Sequence, residues 1–417
     1  MSPVTLLIVG AGGRGAGYAT FAKAHPEQAR VVGVAEPREF YRSHLAAEHP
    51  IPPAHQFTDW RTAAAQPRFA DAVLICTQDA MHVEPAVAFA KLGYHILLEK
   101  PMAPDAAGCR TIVSAVKKAG VLFAVCHVMR YTGYTRKLRQ LLDSGVIGDL
   151  VSLQHLEPVG YWHQAHSFVR GNWRNEKESS PMLLAKSCHD LDWILHIMGK
   201  PCEDVSSFGS LHHFRADQKP AGAAARCLDC AVEPTCPYSA KRIYMGRLAK
   251  GHLAWPVNVL TPNPTEDSLM EALRQGPYGR CVYACDNDVV DHQVVNFKFQ
   301  GGRSGVFTMT AFTKSGHRKT RLFGTRGELS GDGDKILIYD FLTDQTTEVD
   351  TVAADSSILG GHGGGDYGLM KAFISAVAAK DQSQILSGPD ESLESHLMVF
   401  ASEKARRENR VVSVQSV

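Results

Sequence analysis

The sequence predicts an α/β first half built on a parallel sheet, followed by an α+β second half with a mainly antiparallel sheet. Three observations carry this reading. Short, almost wholly apolar runs alternate with helical patterns over residues 1–128. Strands apolar on both sides belong to a parallel sheet covered by helices on each face. A glycine-rich turn closes the first of these runs. From about residue 291, strand patterns follow one another without helices between them, joined by turns bearing Gly or Asp, the pattern of antiparallel pairing.

The elements follow in order. VTLLIVG (4–10) is a strand, and a helix runs over 14–24. VVGVAE (31–36) and DAVLICT (71–77) are the next strands. HVEPAVAFAKLG (82–93) is a helix ending in Gly93, and HILLEK (95–100) a fourth strand. DAAGCRTIVSAVKKAG (105–120) is a helix closed by Gly120, and VLFAVCHV (121–128) a fifth strand. Then come an amphipathic helix (134–145), a strand (150–158) and a helix (183–199) that stops at Gly199. Residues 215–290 show little pattern. Strands are expected at 291–300, 303–313, 318–329 and 335–343 as an antiparallel meander. Helices near 367–380 and 391–408 precede a last strand at 410–414. The domains are read as 1–128 and 129–417, with the C-terminal helices packing back on the first domain.

Composition narrows the function. Of 417 residues, 44% are apolar and 21% charged, enough for a real core and unlike a disordered chain. Lys plus Arg is 44 and Asp plus Glu 43, so no basic footprint marks a nucleic acid or an anionic membrane as partner. No apolar run approaches the roughly 20 residues that span a bilayer. The N-terminal run lacks a basic segment before it and a small-residue cleavage site after it. It reads as a buried strand rather than a signal peptide, and a cytoplasmic protein is expected.

Gly10, Gly12 and Gly15 form a G-x-G-x-x-G between a strand and a helix, and a second strand ends in Glu36. This is the Rossmann dinucleotide fingerprint in its proper context. The first two glycines allow a tight turn and close approach of a pyrophosphate, and the third lets helix and strand pack. Backbone N–H groups from Gly13 and Arg14 open the helix toward the phosphates. The Glu36 carboxylate suits ribose hydroxyls and would repel a 2′-phosphate, favouring NAD. Arg38 nearby keeps NADP open. The fourth strand runs into Glu99-Lys100-Pro101, where open α/β sheets place ligands. A lysine held there can act as a general acid/base.

These features come in a fixed order: the fingerprint, Glu36, TQDAMH (77–82), EKP (99–101), MRY (129–131) and a helical HDLD (189–192). With LLDSGVIGDL (141–150), the chain resembles the Gfo/Idh/MocA family, the glucose–fructose oxidoreductase and inositol dehydrogenase-like enzymes, over almost its whole length. The resemblance implies that Lys100 is the catalytic lysine and Glu99 its partner at the nicotinamide ribose. It implies that Thr77, Gln78 and His82 form a cofactor-facing turn, and that His127 and Arg130 lie near nicotinamide and substrate. It further implies an open C-terminal sheet serving as substrate floor and as the contact of a homo-oligomer, a dimer or tetramer. The activity implied is hydride transfer on sugars, polyols or cyclitols.

The chain departs from the family at the second-domain helix. The family's Asp four residues before the His is Ala185 here, and Lys186 stands three before His189. Residues 186, 189, 190 and 193 share a helix face. His189 is expected in proton transfer or hydroxyl binding, with Lys186 as cationic neighbour or substrate ligand. Glu157, at the end of the 150–158 strand, is a further candidate for substrate hydroxyls. The stretch 160–176 carries four aromatics, two histidines and two arginines. His166, Arg170, Trp173 and Arg174 are its candidate substrate contacts.

Five of the ten cysteines gather between 227 and 285. Cys227 and Cys230 form a C-x-x-C, and Cys236 follows. A structural zinc held by Cys227, Cys230, Cys236 and Cys281, or by Cys285 in place of Cys281, is expected. Such a closed site would not be catalytic. The reading is therefore an NAD(P)-dependent oxidoreductase of carbohydrates or cyclitols. Its rivals are a redox-neutral, NAD-dependent glycoside hydrolase or lyase working through a transient keto-sugar, and a nucleotide-bound sensor without catalysis.

Overall fold

A computed structural model describes residues 2–351 and 361–417. The first sheet has six strands: β1 (Val4–Val9), β2 (Ala29–Ala35), β3 (Gln56–Phe57), β4 (Ala72–Ile75), β5 (His95–Leu98) and β6 (Phe123–Val125). They pair in the order β3-β2-β1-β4-β5-β6, and all of them are parallel. Leu6, Leu7, Ile8, Val73, Leu74 and Ile75 are wholly buried, as strands covered on both faces must be. The helices are α1 (Gly13–Ala24), α2 (Glu39–Glu48), α3 (Trp60–Ala64), α4 (Val83–Lys91) and α5 (Ala106–Ala119). Asp105 caps α5 by accepting from Gly108 N at 2.7 Å, and Gly120 ends it at φ 64°, a left-handed stop that glycine adopts without strain. The chain order reverses between β1 and β4, which places a ligand crevice at their C-terminal ends.

The second half holds α6 (Gly133–Asp143), β7 (Leu150–Pro158), α7 (Tyr161–His163), α8 (Met182–Met198), β8 (Cys202–Ser210), α9 (Gly246–Leu248) and α10 (Glu266–Gln275). Then come β9 (His292–Phe299), β10 (Ser304–Thr310), β11 (Lys319–Gly324), β12 (Gly327–Gly331), β13 (Lys335–Asp340) and β14 (Gln345–Asp350). Last are α11 (Gly365–Ala379), α12 (Pro389–Glu408) and β15 (Val412–Ser413). The sheet runs β14-β13-β12-β11-β7-β10-β9-β8-β15. The expected meander is interrupted. β7 lies between β10 and β11, parallel to the first and antiparallel to the second, so 303–313 and 318–329 are not neighbours. The expected strand at 318–329 is itself a hairpin, β11 and β12, turning at Thr325–Arg326.

One face of this sheet packs on α8 and α12. Leu153, Phe307, Met309, Leu322 and Ile336 meet Leu184, Leu191, Trp193, Ile194 and Met398 there. The other face carries Gln154, Leu156, Val306, Thr308, Arg321 and Leu337 along an open cleft. α11 returns to the first domain. Its Leu369, Met370, Phe373 and Ile374 share a core with Tyr18 and Phe21. Gly365 and Gly368 make that approach possible, because a Cβ on either would lie 2.4 Å from Val128 O or 2.6 Å from Tyr131 O. No helix among the described residues is long and apolar enough to cross a membrane.

The expected zinc site is absent. Among the described residues no group of three or more His, Cys, Asp or Glu is arranged to hold a metal ion. Cys227, Cys230, Cys236 and Cys281 do line one small cavity, but Arg170 is part of its wall. The Arg170 guanidinium donates to Cys227 Sγ at 3.5 Å, to Tyr238 O at 2.9 Å and to Arg280 O at 2.7 Å. A cation in that position repels a second one. The cysteine-rich stretch at about 215–290, an insert in the second domain, is held instead by Arg170 and by a core of Phe214, Tyr238, Tyr244, Leu273 and Val282.

Candidate active site

The glycine turn follows β1 directly. Gly10 has φ 90°, and a Cβ there would meet Cys76 O at 2.5 Å; one on Gly15 would meet Gly10 O at 2.0 Å. A Cβ on Gly13 would meet no other part of the chain within 4 Å, and Gly12 caps α1 without a side-chain partner. The first turn of α1 thus presents unshared N–H groups into open space, a fit for a pyrophosphate.

Glu36 is buried, and its carboxylate accepts four donors. These are Ala11 N at 2.9 Å, Arg38 N at 3.0 Å, Arg38 Nε at 2.7 Å and Arg38 Nη2 at 3.0 Å. Burial opposes ionisation, but Arg38 and Ala11 outweigh it and hold the group below the usual carboxylate range. A carboxylate has about four lone-pair sites, so a ribose must displace part of Arg38 to reach it. The exposed Arg38 guanidinium is the movable partner.

In the turn after β4, Thr77 Oγ1 donates to Met81 O at 3.3 Å, and Gln78 opens a short 3-10 turn. The buried His82 ring lies between the carbonyls of Pro101 (2.8 Å) and Thr77 (3.1 Å), locking this turn to the Lys100 strand end. Glu99 accepts from Arg14 Nε at 2.6 Å and Tyr18 OH at 2.8 Å. Burial opposes its ionisation, yet the Arg14 and Lys100 charges keep it below its usual range. Arg14 also pairs with Asp366 of α11 at 2.5 Å. No motif marked Tyr18.

Lys100 reaches across the domains. Its Nζ donates to the Ala185 carbonyl on α8 at 2.7 Å, and among the described residues no carboxylate lies at ion-pair distance from it. The neighbouring Lys186 is 3.2 Å from Glu157. Burial lowers the Lys186 ammonium, and Arg318 lowers it further against the pull of Glu157. Arg318, just before β11, pairs with Glu157 at 2.6 Å and Asp190 at 2.8 Å. Asp190 also meets His155 Nε2 at 3.3 Å. Although burial opposes it, Arg318 and His155 hold the Asp190 carboxyl far below its usual range. Two cations and two carboxylates therefore close one network on the wall beside Lys100.

The other side of α8 faces the first domain. His189 is buried with its ring 6.0 Å from that of His127. Burial pushes His127 down to about 3 against Asp192, whose carboxylate is 3.6 Å away. Arg130 grips Asp192 with two bonds of 2.7 and 2.8 Å. His127 and Arg130 thus fasten the first domain to α8.

The 160–176 stretch divides. His166 is buried, bonded to Tyr244 OH at 2.8 Å and stacked on Tyr278. Arg170 is spent on the insert. Trp173 packs against the second-domain core, and Arg174 binds Asp286 and Glu178 at the surface. His163, in α7, packs its ring against Trp162 and Phe168. Burial pushes its imidazole well below the ordinary value, and Lys186, His166, Lys100 and Arg318 push it in the same direction. Residues 164–170 wind as a π-helix, an element no sequence pattern announced.

Comparison with known proteins agrees with this arrangement. A model described as "Oxidoreductase family, NAD-binding Rossmann fold" matches residues 4–127, and its "C-terminal alpha/beta domain" matches 139–414. The chain belongs to the Gfo/Idh/MocA oxidoreductase family, and is an NAD(P)-dependent oxidoreductase. Among curated relatives, 2,7-anhydro-N-acetylneuraminate hydratase of Escherichia coli (strain K12) is 32% identical over 147 residues, 35% of this chain and 38% of that protein. The putative oxidoreductase YteT of Bacillus subtilis (strain 168) is 24% identical over 336 residues, 77% of this chain and 76% of that one. The chain thus spans less than half the length of the first of these relatives and about three quarters of the second. In fold, an oxidoreductase from Agrobacterium radiobacter solved with NAD+, L-tartaric acid and magnesium superposes with TM-score 0.72 at 12% identity, covering 100% of this chain and 99% of that one. A levoglucosan dehydrogenase with NADH and levoglucosan gives 0.71 at 17%, covering 99% and 100%.

Proposed function

We propose that this enzyme moves a hydride between a nicotinamide dinucleotide and a ring carbinol carbon of a sugar, sugar derivative or cyclitol. The observation that carries the reading is the Lys100–Ala185 contact. It sets a lysine from the mouth of the nucleotide crevice against the helix bearing Lys186 and His189. Relatives named myo-inositol 2-dehydrogenase and scyllo-inositol 2-dehydrogenase (NADP(+)) support the substrate class. The nicotinamide, when bound, supplies the hydride acceptor.

The residues of the chain do the rest. Gly10, Gly12, Gly13, Arg14 and Gly15 line the phosphate turn, and Glu36 and Arg38 stand at the adenosine ribose. Thr77, Gln78, His82, Glu99, His127 and Arg130 form or brace the nicotinamide end. Lys100 Nζ takes the hydroxyl proton as the carbon gives up hydride. His189 and Lys186 bind neighbouring hydroxyls, and Lys186, with its lowered ammonium, is fit to pass a proton. Glu157 orients Lys186. We read 1–128 as the nucleotide domain and 129–417 as the substrate and assembly domain. A homo-oligomer formed through the open sheet face, and a cytoplasmic location, complete the reading. Ten free thiols among the described residues suit a reducing compartment.

One observation favours a second reading. A relative is named a hydratase, and Lys186 offers a second proton carrier for elimination or addition beside a transiently oxidised carbon, with the hydride then returned. The test is the near-UV absorbance of reduced nicotinamide with NAD or NADP and a panel of sugars, cyclitols and glycosides. A rise over many turnovers supports net oxidation. A rise stopping at one equivalent per site supports the second reading. No rise with any of them contradicts both.

A further inference from the structure

Beyond His163 the site continues into a feature that no motif marked. Trp255, from the insert, has its ring 4.9 Å from that of His163 and 5.3 Å from those of Trp162 and His166. Trp255 remains 46% exposed, and the two indoles are inclined at 54°. The Arg247 guanidinium lies 4.0 Å over Trp162 and is steadied by a 2.8 Å bond to Ile243 O. Among the described residues Arg247 has no carboxylate partner, so its remaining N–H groups are available. Tyr244 and Tyr278 hold His166 from behind, making the support rigid.

From this geometry we infer a distal saccharide subsite. Trp255, with Trp162 and Arg247, takes the second sugar ring of a disaccharide or glycoside whose first ring lies at Lys100. The inference rests on the reading of the active site above and names its substrate class more narrowly. Several features favour a sugar over a purely apolar partner. The platform is built on α7, which follows the end of β7 where Glu157 pairs with Lys186. Apolar ring faces sit beside unpaired N–H donors, matching the C–H faces and hydroxyl edges of a pyranose.

The test measures kcat/KM and binding for glucose and galactose against cellobiose, lactose and maltose, with wild type and Trp255→Ala. At least one disaccharide is expected to exceed its matching monosaccharide about tenfold in the wild type. Trp255→Ala should lower that ratio about tenfold, and Trp255→Phe should restore part of it. A wild type that treats single and double rings alike overturns the inference while leaving the proposed activity intact. So does a variant that loses both equally, which marks a structural role. Dissociation of an oligomer by Trp255→Ala at an unchanged ratio would assign the indole to a contact between copies and also overturn it. If no sugar is turned over, the proposed activity fails, and the subsite is judged by binding alone. Absence of any disaccharide preference in binding then overturns it too.

Discussion

Lys100 Nζ donates a 2.7 Å hydrogen bond to the carbonyl of Ala185. The lysine belongs to the strand end of the first domain, and the carbonyl lies one residue before Lys186 on the second-domain helix. At the position where the family's relay has an acid, this chain keeps a backbone acceptor. The bond aligns the lysine without a side-chain carboxylate. The His189 face and the Lys186–Glu157–Arg318–Asp190 network are thereby registered against the nucleotide crevice.

Arg38 should govern the choice of nucleotide. It occupies three of the four bonds made to the Glu36 carboxylate. Arg38→Ala removes the two guanidinium bonds, opening the carboxylate to ribose hydroxyls, and takes away the cation that could meet a 2′-phosphate. The ratio of NADP to NAD dissociation constants should rise about tenfold, equivalent to ~1.4 kcal/mol. Calorimetric titration checks this; an unchanged ratio contradicts it.

Arg318 should be a stability residue as well as part of the site. Its removal leaves Glu157 and Asp190 buried beside a single lysine. Breaking a buried ion pair by removing one partner costs about 3–5 kcal/mol. Arg318→Leu should lose that amount in denaturant unfolding, and Arg318→Lys should recover part of it. An unchanged midpoint would contradict the network.

Acid should destabilise the fold before its carboxylates titrate. Burial is the main cause that lowers His127 and His166 to about 3 and His396 to about 4, against an unfolded value near 6.5. These groups fold neutral, so between about pH 6.5 and 4 the unfolded chain binds more protons. Their contribution is complete above about 6.5 and is lost as pH falls toward the folded values, by about 1.4 kcal/mol per unit for each histidine. Thermal unfolding at pH 7.5 and 5.0 measures this. Equal melting temperatures would contradict it.

Much of the nucleotide side was legible because its signals are local. Gly10, Gly12 and Gly15 encode their turn within six residues, and Lys100 ends a strand beside a proline. The substrate side was not legible in the same way. Arg318 reaches Glu157 only because β7 inserts between β10 and β11, a pairing that consecutive strands do not announce. His163 was not among the candidates because nothing in the 160–176 sequence sets it apart from His166. Trp255 lies in an insert without periodicity, placed by its own aromatic core. The cysteine spacing suggested zinc, but spacing does not reveal that Arg170 would stand among the sulfurs.

The central claim is that Lys100 is the proton acceptor for hydride transfer. Single-turnover reduction of bound nicotinamide tests it most directly, comparing wild type with Lys100→Ala at equal nucleotide occupancy and a saturating substrate. The account predicts nucleotide binding within about twofold and a hydride-transfer rate lower by about 10² to 10⁴, the usual worth of a general acid/base. An unchanged rate in Lys100→Ala would contradict it.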